Sequence, residues 1–396
     1  MARVAFMCSH EAAIIIHPAA SGSDLKHVQG HKPVDRNKRA LRPSGLARPN
    51  LGALASILAL LAVSCRSDHH VQEATVLRMV DSVVLQDGRN ERIARPSSVA
   101  VAPNGDFYVS DRLQGIAFRF SRRGLLLNTI GAKGAGPGEF QSPRGFAFPN
   151  DSQVVAVDPG LRRAQRFGSD GHRIGEPYDL PFDFSMITGT RDAIWIGGSE
   201  PSGGMSIIRW TLSNDSSTRM LPLPKELRNP LLLLLGGAVI AAHPDTLAVG
   251  FGPSSTIRLI SSVTGQILDT LAVPVRARRG LPETAFQAAS EGNGFGVLNS
   301  ASSLVAIGFL PRGRLEVVFQ DLKRLQTEFV SKLYLSIVDD SAPSGCIDIP
   351  VPQLDSVRPQ ITFHNDTLVM LEQPIIGDTS VTTVIRMFAL DTNANC

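Results

Sequence analysis

The sequence predicts an all-β protein: a six-bladed β-propeller of four-stranded antiparallel blades, closed by an N-terminal strand. Three observations lead there. Glycine (35) and proline (26) are plentiful while aromatics are only 6% of the 396 residues, a composition of turns and short strands rather than long helices. Short apolar runs punctuated by Gly, Pro, Asn and Asp fill the chain from Ala74 onward. One strand-and-turn block then recurs at a constant offset of 47 residues, inside the range of propeller repeats.

In chain order, the apolar stretch Ala74–Leu85 comes first as a lone strand. Pro96–Gly124 then divides into three strands. Ser98–Ala102 is continuous and apolar, Asp106–Asp111 follows a Pro103-Asn104-Gly105 turn, and Ile116–Phe120 alternates Ile, Phe and Phe with Ala and Arg. Pro103-Asn104-Gly105 is a hairpin turn in which Asn and Gly can take positive φ at little cost. Arg122-Arg123-Gly124 turns the chain again, and Leu125–Ile130 is the fourth strand. A four-stranded antiparallel meander is the unit of a propeller blade.

The second block echoes the first. Pro143–Phe148 matches Pro96–Val101, Val154–Asp158 matches Phe107–Asp111, Ala164–Phe167 matches Ala117–Phe120, and Ser169-Asp170-Gly171 matches Arg122-Arg123-Gly124. Four further blades are more worn. Ala193–Gly197 with Ile207–Trp210 marks the third and Asp245–Gly250 with Ile257–Ile260 and Thr264-Gly265-Gln266 the fourth. Leu304–Phe309 with Leu315–Phe319 marks the fifth, and Asp366–Met370 with Val384–Phe388 the sixth. The strand at Ala74–Leu85 is left to complete the last blade, closing the ring by strand exchange. One segment admits two readings: Val318, Leu322, Leu325, Phe329 and Leu333 form a helical stripe, or Glu316–Leu335 is a strand pair.

Residues 1–64 form a separate N-terminal segment. They hold eight of the 39 Lys/Arg and three of the 36 Asp/Glu. The body from Cys65 onward thus has 31 basic and 33 acidic residues, which argues against a nucleic-acid partner. Basic Arg36–Arg48 precedes an apolar run of about 14 residues, Leu51–Ser64, the layout of a signal peptide rather than a membrane span. Residues 1 to about 33 exceed what such a signal needs, so translation is expected to start downstream of Met1. Leu61-Ala62-Val63-Ser64-Cys65 resembles the bacterial lipoprotein lipobox, with Ala62 where leucine is usual. That resemblance implies cleavage before Cys65 and its lipidation, a polar tether over 65–73, the propeller over 74–396, and an envelope location at the periplasmic face or outer membrane. Arg66, rather than aspartate, after the cysteine permits sorting to an outer membrane. Cys8 leaves with the signal, so Cys346 and Cys396 remain in an oxidising compartment. A disulfide between them would stabilise by about 4 kcal/mol; two free thiols are the alternative.

The phrase Ile130–Gly145, I-G-A-K-G-A-G-P-G-E-F-Q-S-P-R-G, resembles the signature of NHL-repeat proteins and related six-bladed bacterial propeller lipoproteins. The strand end Val157-Asp158 and Arg162–Phe167 continue the likeness, which is specific over residues 95–175. It implies structural roles between blades for Gly131, Gly134, Gly136, Pro137, Gly138, Glu139, Phe140, Pro143 and Gly145. A phosphate loop is excluded: Lys133 lies early, no Ser/Thr follows it, and Gln141-Ser142-Pro143 leads into a strand rather than a helix.

No catalytic set is legible. His172, His243 and His364 sit beside turn residues, and neither G-x-S-x-G nor H-E-x-x-H occurs. Asp111 and Asp158 occupy equivalent positions. They line a channel or, as repeated features, bind turn N–H groups. Arg112, Arg119, Arg122, Arg123, Arg162, Arg163 and Arg166 form either a basic face for an anionic glycan or protein, or solvated turns and edges. The leading expectation is a monomeric, lipid-anchored binding or scaffold module for a protein or glycan partner, without a cofactor. The second is a calcium-dependent hydrolase or lyase with its site in the channel.

Overall fold

An N-terminal strand, β1 (Leu77–Val84), leads into the first meander: β2 (Pro96–Val101), β3 (Phe107–Asp111), β4 (Ile116–Phe120) and β5 (Leu126–Ile130). The computed structural model describes residues 77–86, 93–190, 192–199, 204–273, 278–310, 313–325, 328–338, 348–352, 360–372 and 383–390. All belong to the unit His70–Cys396. The segments 1–64 and 65–73, Cys65, Cys346 and Cys396 lie outside the described residues.

The turn between β2 and β3 shows the local logic. Gly105 N–H donates to Ala102 O at 2.8 Å, and Ala102 N–H to Asp106 O at 2.8 Å. Pro103 takes the second turn position, which its ring pre-sets. Gly105 has φ +85°. Asn104 does not join it in the left-handed region. Its side-chain oxygen instead accepts from Asp106 N–H at 3.0 Å, the local Asx bond that makes asparagine a turn residue.

The connection after β5 carries a short parallel pair, β6 (Ala132–Lys133) and β7 (Glu139–Phe140). The remaining blades are β8 (Phe146–Asn150), β9 (Gln153–Asp158), β10 (Arg163–Gly168), β11 (Arg173–Asp179); β12 (Asp183–Thr190), β13 (Ala193–Ser199), β14 (Met205–Thr211), β15 (Ser216–Pro222); β16 (Ala238–Ala242), β17 (Thr246–Phe251), β18 (Thr256–Ser261), β19 (Ile267–Ala272); β20 (Ser303–Phe309), β21 (Leu315–Leu325), β22 (Glu328–Val338), β23 (Ile349–Val351); and β24 (Gln360–His364), β25 (Thr367–Glu372), β26 (Val384–Leu390). Each of the six sheets has four antiparallel strands, and the last takes β1 as its outer strand, in the order β1-β26-β25-β24. The inner strands touch in a closed cycle: β2 meets β8 and β24, β12 meets β8 and β16, and β20 meets β16 and β24. The fold is therefore a six-bladed β-propeller.

Packing follows from strand alternation. Val154 and Ala156 face blade 1, whereas Val155 and Val157 face blade 3. A strand sandwiched between two neighbours buries both faces, so its sequence is continuously apolar. The buried side chains fall into six clusters, one at each blade interface. Val83 and Leu85 join Val99, Phe107 and Ile385 in the cluster that seals the ring.

Glu316–Leu335 resolves as a strand pair, with Val318 opposite Leu335 and Leu322 opposite Ser331. Val317 and Phe319 face blade 4, and Val318 and Leu333 face blade 6. Two-sided burial puts apolar residues at nearly every position, and a helical period can be picked from such a run. The helices occur where the sequence analysis expected none. They are α1 (Glu283–Ser290) and α2 (Gly294–Ser300), between blades 4 and 5. No described helix is long and apolar enough to cross a membrane.

Candidate functional site

In such a ring, blade-to-blade connections and the turns joining second to third strands share one face. The other face carries the remaining hairpin turns. These are called here the connection face and the hairpin face.

Asp111 and Asp158 are fully buried at the connection-face ends of β3 and β9. Asp111 Oδ1 accepts from Leu113 N–H at 2.8 Å and Gln114 N–H at 3.0 Å. Its Oδ2 accepts from Arg95 N–H at 2.9 Å and from Ala94 N–H. Asp158 repeats the arrangement 47 residues on. Oδ1 takes Gly160 N–H at 2.8 Å and Leu161 N–H at 3.2 Å, and Oδ2 takes Gln141 N–H at 2.6 Å and Ser142 N–H at 3.3 Å. Each carboxylate ties its own blade's turn to the segment entering that blade's inner strand. Burial alone would raise the Asp111 pKa. Bonds from Arg95, Gln114 and Ala94 outweigh it and hold the carboxyl below its ordinary value.

The glycine-rich connection is packed as a plug between blades 1 and 2. Phe140 is fully buried, its ring 5.4 Å from Phe167. Gly131 has φ +72°, and a Cβ there would stand 2.3 Å from the Phe140 ring, so neither its conformation nor its space admits a side chain. Glu139 folds beneath Gly134 and Gly136, taking Gly136 N–H at 2.7 Å. Gly138 N–H donates to Gln165 Oε1 at 2.7 Å. Pro143 O accepts from Ser97 Oγ at 2.9 Å, and Gly145 N–H donates to Ser98 Oγ at 3.0 Å. Pro137 and Lys133 are exposed.

The seven arginines do not form one face. Arg163 is buried and holds the plug through Ala135 O and Glu139 O, each at 2.9 Å. Arg119 binds Asp106 at 2.6 Å and Ser169 O at 2.8 Å. Arg166 reaches Leu212 O at 3.3 Å and stacks 5.7 Å from the Trp210 ring. Arg122 and Arg123 are exposed on the hairpin face, and Arg112 and Arg162 on the connection face. The three histidines sit at hairpin-face turns of alternate blades. His172 is bonded to Asp170 and the His243 ring lies 5.2 Å from Phe309. Burial holds His364 below its usual pKa. Among the described residues, no group of three or more His, Cys, Asp or Glu is placed to hold a metal.

The connection face departs from the repeat in two places. Between blades 3 and 4 run two 3-10 turns, Lys225–Leu227 and Leu232–Leu235, and between blades 4 and 5 run α1 and α2. Leu227, Leu232, Leu235, Ala285 and Val297 join the core of blades 3 and 4. The insert is anchored on blade 5, where Arg279 Nε meets Asp321 at 2.7 Å and Ser302 Oγ donates to the same oxygen at 2.9 Å. Leu113, Leu234 and Phe295 stay exposed on this face. The second departure is a cavity of about 170 Å3 between blades 2 and 3, bounded by Pro159, Arg162, Leu180, Phe182, Asp183 and Phe184. Neither the insert nor the cavity is legible in the sequence. Only the 47-residue alignment, which sets Arg162 against Gly115, offered a signal.

No known protein family matches the chain. No curated protein matches it either. Solved structures are similar in fold. A Bacteroides vulgatus member of the DUF4221 family is 10% identical with a TM-score of 0.59, over 81% of this chain and 99% of that one. A Bacteroides fragilis protein classed as exported is 12% identical with a TM-score of 0.55, over 81% of this chain and 97% of that one. At these identities the likeness is one of fold.

Proposed function

We propose that the chain is an exported, lipid-anchored propeller acting as a binding or scaffold module, with its partner surface on the connection face. The partner is a protein or glycan. The observation that carries this reading is the asymmetry of the ring. The described hairpin face is mostly closed by tight turns. The connection face bears the helical insert, the cavity and the exposed Leu113, Leu234 and Phe295. Apolar side chains are exposed on both faces, with Leu125, Val263 and Ile267 at hairpin-face turns, so it is the insert and the cavity that set the connection face apart as a binding surface. An anchor at Cys65 tethers the body through residues 65–73, and a Cys346–Cys396 bond would fasten the C-terminus in the same oxidising compartment. The fold likeness to a protein classed as exported supports that location. Photo-crosslinking from each face in the native envelope tests the reading: adducts should arise from the connection face.

A further inference from the structure

The two aligned blades differ at one point. Position 115 in blade 1 is glycine, with φ +65°; its counterpart 47 residues on is Arg162, with φ +51°. Both close the turn between the second and third strands, and both need the left-handed backbone. That conformation is free for glycine and strained for arginine. In blade 1 a side chain is also excluded. A Cβ on Gly115 would lie 2.6 Å from Phe140 O and 3.1 Å from the Lys133 side chain, because the long plug 131–145 crosses there. The connection from blade 2 to blade 3 is only residues 180–182. The place filled by the plug is left open, and Arg162 stands in the wall of the resulting cavity.

Asp183, the first residue of blade 3's inner strand, stands in the same wall. Both residues are exposed, and among the described residues neither side chain makes a hydrogen bond or ion pair, with each other or with anything else. Leu180 and Phe182, both buried, together with Pro159 and Phe184, give the rest of the wall an apolar character. The cavity thus holds one unpaired cation, one unpaired anion and an apolar floor. A plain anion would satisfy Arg162 and leave Asp183 facing like charge. A zwitterion satisfies both.

We propose that this cavity binds a free α-amino acid with an apolar side chain, its carboxylate on Arg162, its ammonium on Asp183 and its side chain against Phe182 and Phe184. The cavity is below the usual size of a drug-like ligand site, which fits one such molecule. The site is separate from the insert and does not depend on the partner proposed above.

Calorimetric titration of the full chain with L-leucine and L-phenylalanine tests this, with N-acetyl-L-leucine, L-leucinamide and D-glucuronate as controls. Binding with Kd of about 1 mM or tighter is expected for at least one amino acid. Loss of either charge, in the N-acetyl or amide compound, should weaken it about 10-fold or more. R162G should weaken binding to the same degree while its thermal midpoint stays equal or rises, since the turn loses its strain; D183N should weaken binding with an unchanged midpoint. Equal binding of N-acetyl-leucine or glucuronate, undiminished binding by R162G, or no binding of either amino acid would overturn the proposal.

Discussion

A carboxylate can serve architecture or chemistry, and its bonding partners decide which. Asp158 gives its acceptor capacity to four backbone N–H groups of this chain, so it is spent on joining turn to connection. Removing it strands four donors in a buried place. Asp158→Ala should therefore cost about 3 kcal/mol or more, read as a lower denaturant midpoint with little change in slope. Glu316 is the opposite case. It is buried on β21, and burial, helped by the Asp366 charge and opposed by Arg314, pushes its pKa to about 8. Its folded pKa lies above the unfolded one, so stability is full below about pH 4.5 and falls as pH rises toward 8. At about 1.4 kcal/mol per unit the loss reaches on the order of 5 kcal/mol. Glu316→Gln should flatten that fall. Thermal midpoints of the two chains should converge near pH 4.5, with the variant higher at pH 8.5; parallel curves would refute the assignment.

At the scale of the element, blades 1 and 2 were legible in sequence because each strand-turn junction carries its own local signal: Pro103 and Gly105 for a hairpin, an aspartate ending the second strand, glycine in the third-to-fourth turn. The closing role of β1 was legible by a different route, since one strand was left over and one blade lacked a fourth. Its burial supports a paired test. Val83 is buried at the closing interface and Val80 is half exposed. Val83→Asp places a charge in that core and should cost several kcal/mol, whereas Val80→Asp should stay within about 0.5 kcal/mol. Both are measured by thermal unfolding. Equal effects would mean that β1 does not seal the ring. What escaped the sequence was the insert. Its α-helices are seven or eight residues long, two turns each, too short for periodicity to stand out. Asn293, whose side chain caps α2 through Gly296 N–H at 2.8 Å, reads equally well as a loop residue. The β21–β22 pair carried the converse difficulty, its two-sided burial imitating a helical stripe.

Over the whole molecule, architecture and function are written at different densities. The ring is specified redundantly, by six blade interfaces and by turns that repeat, so worn blades still fold within it. The candidate binding features are single departures from the repeat: an arginine for a glycine, a three-residue connection for a long one, a helical insert on blades 3 to 5. A repeat-based reading locates the regular part and passes over such departures. The glycine-rich stretch 131–145 resembles a functional loop most strongly, yet its bonds go to the neighbouring blade. The central claim is that partners meet the connection face. A photo-reactive residue at Phe295 on that face, and another at Arg123 on the hairpin face, tests it in the full chain produced in its own cell. The account predicts a discrete adduct from position 295 and none above background from position 123. Adducts from position 123 alone, or from neither position, would contradict it.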